Sequence, residues 1–166
     1  MSILTIDFET FYSSDYSLSK ITTEEYIRSP LFQAIGVSVG VDDAEPVWFS
    51  GTHDEIKAFL DGYPWSDSPA IAHNAMFDMA ILNWHFDIRP KQIIDTMSMA
   101  RALVGSTQSV SLKALAEYYG VGAKGNEVIA AKGMRRADFT PEQLSAYGSY
   151  CNNDTSLCYQ ILEKML

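Results

Sequence analysis

The sequence predicts an α/β fold in which a five-stranded mixed sheet carries helices on both of its faces. Two observations lead to this prediction. Short β-branched and apolar runs, which are typical of buried strands, alternate with longer segments whose apolar residues recur at a helical period. A hairpin joins two of the early strands, whereas helices separate the later ones, so the sheet is expected to combine antiparallel and parallel neighbours.

Length and composition are those of one folded domain that spans residues 1–166. Hydrophobic residues make up 47% of the chain and aromatic residues 12%, which excludes a disordered polypeptide. No apolar run approaches the roughly 20 residues of a membrane span, and no signal peptide is visible. We therefore expect a monomeric cytoplasmic protein that does not contact membranes. Cys151 and Cys158 would lie roughly 10 Å apart on one helix, too far for a disulfide, so we expect buried free thiols.

The first strand is expected over Ile3–Glu9, an apolar and β-branched run. Asp7 and Glu9 are two residues apart, so both side chains leave the same face of the strand. Two acids on one face of a buried strand repel each other and lose hydration, which indicates a functional site. A pair of strand-end carboxylates in solvent is the alternative.

Each of the next elements carries its own local signals, an apolar run for a strand or a helical period with caps for a helix. They are expected in this order: a brief helix capped by Thr22 or Thr23, strands over Gln33–Val41 and Glu45–Ser50, a helix over Thr52–Gly62, a strand over Ala70–His73, a helix over Ala75–Phe86, a strand over Lys91–Ile94, helices over Thr96–Val104 and Ser111–Tyr119, and a short helix around Glu127–Lys132. Asp95 is expected to cap one of these helices and Asn74 another. Asp78 lies in the first turn after Asn74, where the helix dipole favours a carboxylate, and taken alone it is interpreted as a helix-start acid.

The last helix is expected to begin at a capping box formed by Thr140 and Gln143, with proline at its first position. Its apolar positions follow a three-then-four spacing: Leu144, Tyr147, Tyr150, Cys151, Leu157, Cys158, Ile161, Leu162 and Met165. Asp154 is the one charge on this stripe, and Tyr150 precedes it by one turn. A carboxylate that faces a protein interior costs several kcal/mol unless it is paired, so Asp154 indicates a partner.

The fold brings the acids to one place. Strands end and helices begin at the same edge of such a sheet, so four acids are expected to converge: Asp7, Glu9, Asp78 and Asp154. Such a cluster requires cations, and oxygen ligands suit Mg²⁺ or Mn²⁺. Two such ions about 3.5–4 Å apart are the usual apparatus for attack on a phosphodiester.

Three motifs make the pattern specific. They are Asp7-x-Glu9-Thr10, Asn74-x-x-Phe77-Asp78 and Tyr150-x-x-x-Asp154. In this order they resemble the exonuclease motifs of the DEDD superfamily. Tyrosine at position 150, with Ser149 where the histidine branch would place its histidine, resembles the branch that includes the proofreading domains of family A DNA polymerases. Residues 17–26 and 111–116 are similar to the proofreading region of phage-encoded polymerases of that family.

The resemblance implies a ribonuclease H-like fold and a 3′→5′ exonuclease that hydrolyses DNA to nucleoside 5′-monophosphates with two divalent metal ions. The four acids would hold the ions and Tyr150 would orient the attacking water. Thr10, Asn74 and Phe77 would contact the single-stranded 3′ end. Tyr12 would stand where better-known enzymes place a leucine wedge, or would only pack. The resemblance also implies a bacterial or phage-infected host cytoplasm. It leaves two alternatives open, a chain that acts alone and one that a polymerase domain follows in the same parent chain.

Two alternatives remain open from the sequence, an exoribonuclease of the same superfamily and a catalytically idle nucleic-acid-binding domain. The net charge of −9 at first argues against nucleic acid, but bound metal ions would reverse the sign locally. A basic cluster near the end of the chain is interpreted either as a solvated face or as a phosphate contact: Lys124, Lys132, Arg135 and Arg136.

Overall fold

The computed structural model describes residues 1–125 and 130–166 and contains the predicted mixed sheet. Its five strands are β1 (Leu4–Thr10), β2 (Ala34–Val41), β3 (Val47–Phe49), β4 (Pro69–Ala72) and β5 (Gln92–Asp95), in the spatial order β3-β2-β1-β4-β5. The hairpin strands β2 and β3 pair antiparallel, as do β1 and β2, while β1 pairs parallel with β4 and β4 with β5. The prediction of a mixed sheet is confirmed.

Six α-helices of the described residues cover the two faces of the sheet. They are α1 (Thr23–Arg28), α2 (His53–Asp61), α3 (Ala75–Phe86), α4 (Thr96–Val104), α5 (Leu112–Tyr119) and α6 (Pro141–Met165). Helices α1, α2 and α3 share one hydrophobic core with the apolar side chains of β1, while α4, α5 and α6 form a second core against β4 on the opposite face. Because strand side chains alternate, Leu4, Ile6 and Phe8 belong to the first core, and Asp7 and Glu9 point towards α6.

The capping residues that the sequence predicts stand at the starts of the helices in the structure. Thr52 and Thr140 each form a capping box, and the Asp95 side chain accepts a hydrogen bond from the Met97 amide. Of the two threonines proposed for α1, Thr22 is the cap. The boundaries of these helices agree with the expected ones because the caps are short-range interactions.

Helix α6 lies close to the edge of the sheet because two glycines leave room for a tryptophan. A Cβ atom at Gly148 of α6, or one at Gly36 of β2, would lie 2.3 Å from the ring of Trp48 on β3. Only glycine therefore permits this approach at either position. The indole is held between α6 and β2, which contributes to the position of α6 over the acids of β1.

Two expectations about local structure need correction. Asn74 does not cap α3 through its side chain. It adopts a left-handed conformation (φ 67°, ψ 57°), and its own N–H donates to Asp95 Oδ1 over 3.0 Å. The chain turns from β4 into α3 within two residues, which leaves no space for an extended cap, and asparagine tolerates this conformation better than most residues. Of the short helix expected around Glu127–Lys132, residues 126–129 lie outside the described residues and 130–132 are not helical.

The remaining structural expectations concern the cysteines and membranes. Cys151 and Cys158 are buried free thiols, as predicted. None of the helices in the described part of the chain combines the length and the apolar character that a membrane crossing requires.

Candidate active site

Asp7 and Glu9 leave β1 on the face that α6 covers. The Cys151 thiol of α6 donates to Asp7 Oδ2 over 3.4 Å, and Tyr147 of the same helix donates to Glu9. Burial, together with the charge of Asp154, raises the pKa of Asp7 to about 7. Burial and the neighbouring Asp7 raise the pKa of Glu9 to about 8. Both acids are thus buried, and the positive charge near them is too small to keep them ionised at neutral pH.

Asp78 joins this pair from the first turn of α3. Its side chain is only 4% exposed, and Oδ1 accepts a hydrogen bond from the backbone N–H of Phe8 over 2.9 Å. Phe8 stands between Asp7 and Glu9, so this bond fixes Asp78 beside the two acids of β1. Burial and then the charge of Asp7 raise the pKa of Asp78 well above its usual value. Asp78 is therefore more than a helix-start acid.

Asp154 completes the cluster from the buried face of α6, where it is 7% exposed. Its Oδ2 accepts a hydrogen bond from Lys124 Nζ over 2.9 Å. Its Oδ1 is buried and has no hydrogen-bond partner among the described residues. Burial raises the pKa of Asp154, and Lys124 opposes this shift. A buried carboxylate oxygen without a donor, in a cluster of four acids, is a suitable ligand for a hard divalent cation.

Tyr150 and Asp154 share Lys124 as a partner. Lys124 forms a hydrogen bond with the Tyr150 hydroxyl, and its Nζ lies 5.4 Å from the centre of the Tyr150 ring. Burial raises the pKa of the Tyr150 hydroxyl, so the phenol stays protonated near neutral pH. Lys124 was one of four residues in the basic cluster, and no periodicity in its segment distinguished it from the others.

The other three basic residues do not join Lys124 at the acids. Arg135 stacks over the ring of Phe11 at 3.7 Å and donates to the carbonyl of Leu31. Arg136 donates to Ser50 Oγ, and Lys132 is exposed. The basic cluster is thus divided between the acidic site and the neighbourhood of β2, and does not form one surface.

A cavity of about 290 Å³ adjoins Glu9. It is lined by Phe8, Glu9, Thr10, Tyr12, Ser17, Leu18, Tyr26, Phe77 and Tyr147. Three of the four residues predicted to contact a substrate are thus brought to one cavity next to the acids. The exception is Asn74, which is exposed and does not line it.

Sequence reasoning missed five residues of this cavity: Phe8, Ser17, Leu18, Tyr26 and Tyr147. Leu18 is 48% exposed although it is apolar, and it reaches the cavity because the polar segment after β1 folds back. Tyr26 bonds the hydroxyl of Thr10 over 2.8 Å, which depends on a contact between distant segments. The signal for Tyr147 was present, since it precedes Asp154 by seven residues and so lies on the same face of α6.

The fold and the acid cluster together define the class of nucleases that hold their catalytic carboxylates on a mixed sheet and on the helices packed against it. A family model described as 3′-5′ exonuclease matches residues 57–166, more than half of the chain. The chain belongs to this 3′-5′ exonuclease family, within the DEDD superfamily. A comparison with curated proteins finds no match.

Solved structures share the fold at low sequence identity. NrnC of Brucella melitensis with bound Mg²⁺ matches with a TM-score of 0.65 and 15% identity over 98% of this chain and 71% of that chain. The RNase D–GMP complex of Trypanosoma brucei has a TM-score of 0.71 and 15% identity over 99% of this chain and 50% of that one. The catalytic core of RRP6 from the same organism has a TM-score of 0.66 and 14% identity over 98% of this chain and 40% of that one. These matches confirm the ribonuclease H-like fold.

Proposed function

We propose that this chain is a metal-dependent 3′→5′ exonuclease of the tyrosine branch that hydrolyses single-stranded DNA ends to nucleoside 5′-monophosphates, as a proofreading domain does. One observation carries the proposal. Four acids from β1, α3 and α6 lie close enough for the charges among them to raise the pKa values of three of the four, with Tyr150 one turn from Asp154 and a cavity beside Glu9.

The acid cluster fits two divalent ions, Mg²⁺ or Mn²⁺. Asp7, Glu9 and Asp154 would hold one ion, and Asp7 and Asp78 the other. When bound, such ions activate a water molecule and stabilise the charge of the leaving oxygen. Asp154 Oδ1, which has no hydrogen-bond partner among the described residues, and the raised pKa values of the other three acids support this assignment, because all of them favour the binding of a cation.

Tyr150 acts in this proposal by orientation. A phenol whose pKa is raised by burial is a poor general base at neutral pH, but its hydroxyl can orient a water molecule. Lys124, which also pairs with Asp154, would help to keep the hydroxyl in place. The rigid turn of α6 sets the separation between Tyr150 and Asp154.

The cavity beside Glu9 is the proposed place of the terminal nucleotide. The rings of Phe77 and Tyr12 offer apolar and stacking contacts that suit any base. Because the Thr10 hydroxyl is already bonded to Tyr26, its backbone is the group offered to a substrate. Asn74 is left out of this role, since its backbone is bonded to Asp95 and it does not line the cavity.

A second candidate is a 3′→5′ exoribonuclease. It is favoured by similar solved structures, among them RNase D of Trypanosoma brucei in complex with RNA U12. The preference for DNA is supported by the motifs that resemble polymerase proofreading domains. The identity of the catalytic acids does not distinguish a DNA end from an RNA end, because metal ions held by such acids act on the phosphodiester.

Matched oligonucleotides of DNA and RNA with the same base sequence, each labelled at the 5′ end, separate these candidates. We expect the DNA strand to shorten stepwise with Mg²⁺ or Mn²⁺ and to stay intact in EDTA. Degradation of RNA alone would favour the second candidate. Tight single-strand binding without cleavage of either strand would make the chain an idle binding domain.

A further inference from the structure

Cys151 has no part in the proposed hydrolysis, yet it stands among the candidate metal ligands. Its side chain is 0% exposed, and its Sγ lies 3.4 Å from Asp7 Oδ2. Sγ and one carboxylate oxygen each of Asp7 and Glu9 all lie within 4.8 Å of one another. The acidic site therefore contains a sulfur ligand in addition to its oxygens.

The separation between Cys151 Sγ and Asp7 Oδ2 matches that between two ligand atoms of one zinc ion. Zinc binds thiolate sulfur at about 2.3 Å and carboxylate oxygen at about 2.0–2.2 Å, so in a tetrahedral site the ligand atoms lie roughly 3.3–3.6 Å apart. The Cys151–Asp7 pair already has this separation. One carboxylate oxygen of Glu9 lies within 4.8 Å of both ligand atoms, so Glu9 would have to move closer to bind the same ion.

The second cysteine provides a contrast. Cys158 lies two turns further along α6 and is also buried, but its Sγ contacts the hydroxyl of Thr96 at 3.5 Å. Among the described residues it belongs to no group of metal-binding side chains. The arrangement around Cys151 thus does not follow simply from a buried thiol on this helix.

We infer that Cys151, Asp7 and Glu9 form a sulfur–oxygen–oxygen site for thiophilic divalent ions of the zinc class. Thiolate ligands favour such ions over Mg²⁺ and Mn²⁺, which prefer oxygen. When the ion binds, the thiol proton passes to solvent and no electron is transferred. If the proposed function is correct, the site is inhibitory, because it takes the oxygens of Asp7 and Glu9 that hydrolysis requires.

Cobalt reports the ligand directly, since a thiolate bound to Co²⁺ produces a charge-transfer band in the near ultraviolet that oxygen ligands do not produce. Co²⁺ is titrated into the intact chain and into the variants Cys151→Ala and Cys158→Ala. The band is expected in the wild type and in Cys158→Ala, and it is expected to disappear when Zn²⁺ is added. It is expected to be lost in Cys151→Ala. Absence of the band from the wild type, or its presence in Cys151→Ala, overturns the inference.

Two further measurements keep the result interpretable. Cys151→Ser retains a polar group of similar size and serves if the alanine variant does not fold; it too is expected to lose the band. Thermal unfolding should show a Zn²⁺-induced rise in Tm for the wild type that is smaller in the Cys151 variants, because the carboxylates alone can still bind the ion. Cleavage of DNA by the wild type with Mn²⁺, in the absence of zinc, tests the proposed function separately. A band without cleavage supports the sulfur site and contradicts the proposed function. Cleavage without a band supports the proposed function and contradicts the sulfur site.

Discussion

Lys124 Nζ lies 2.9 Å from Asp154 Oδ2, so a lysine from an irregular segment is paired with the acid on the buried stripe of α6. The same ammonium group bonds the Tyr150 hydroxyl. Within residues 1–125 and 130–166, the chain thus supplies one cation, Lys124, to the cluster of four acids. A metal ion that binds Asp154 therefore lies next to this lysine. Each of the two cations then binds one oxygen of the carboxylate, or both bind the same oxygen.

The first prediction concerns this pair. Replacement of Lys124 by Met leaves Asp154 buried without a counter-charge, so the free energy of unfolding in EDTA should fall by about 1–3 kcal/mol. Urea unfolding measures the loss. Saturating Mn²⁺ should restore most of it, because the ion supplies the missing charge. Lys113→Met, at an exposed position of α5, is the matched control. An equal loss with and without Mn²⁺ would contradict the assignment of Asp154 as a metal ligand.

The second prediction is a dependence of stability on pH in the absence of metal. The pKa values of Asp7 and Glu9 are about 7 and about 8 in the folded protein, whereas both groups titrate near 4 in an unfolded chain. Between these values the folded state binds more protons, so the free energy of unfolding falls as pH rises. We expect a loss of at least about 1 kcal/mol between about pH 5 and about pH 9.

Urea unfolding in EDTA across this range measures the effect. Other groups also titrate, so the wild type is compared with the double variant Asp7→Asn, Glu9→Gln, which should lose less stability as pH rises. Mn²⁺ should also reduce the decline in the wild type, because it favours the ionised carboxylates. Identical pH dependence in the wild type and the double variant would mean that these acids are not perturbed.

The third prediction concerns Tyr150. Tyr150→Phe removes the hydroxyl that Lys124 holds, while the ring remains, so cleavage should slow by up to about 100-fold through loss of orientation. The reduction is expected in kcat and not in KM. Tyr118→Phe, which alters an exposed tyrosine, should leave both unchanged. Full activity of Tyr150→Phe would exclude an orienting role for this hydroxyl.

The fourth prediction concerns Leu18 at the cavity beside Glu9. An exposed leucine at this place offers apolar contact to a terminal base, so Leu18→Ala should raise KM for a single-stranded substrate about fivefold, the equivalent of roughly 1 kcal/mol. Leu31 is the matched control, because it is 47% exposed and Leu18 is 48% exposed, but Leu31 does not line this cavity. Equal effects of Leu18→Ala and Leu31→Ala on KM would mean that Leu18 makes no specific contact with the substrate.

The fold was largely predictable because its signals are local. Thr52 and Thr140 predict the starts of their helices through capping boxes that span a few residues. The alternation of side chains along β1 assigns Asp7 and Glu9 to one face. The meeting of the acids was likewise predictable, since strand ends and helix starts share one edge of the sheet. Asp154 was conspicuous because it interrupts an apolar stripe.

The remaining features depend on long-range contacts that leave no periodic trace. Lys124 reaches Asp154 from a segment without a helical or strand pattern, and Leu18 reaches the cavity through the folding of a polar loop. Asn74 was assigned to a common capping role, whereas the tight connection from β4 to α3 requires a left-handed residue there. Such contacts become visible only once the elements are packed.

The central claim is that four acids form one metal-dependent site that removes nucleotides from a 3′ end. Its most direct test is the degradation of a 5′-labelled single-stranded DNA by the wild type and by Asp154→Asn with Mg²⁺. We expect the wild type to produce a ladder that shortens one nucleotide at a time, with nucleoside 5′-monophosphates released. Asp154→Asn should be folded by circular dichroism and produce no ladder. A ladder of equal rate from Asp154→Asn, or internal cuts by the wild type, would contradict the account.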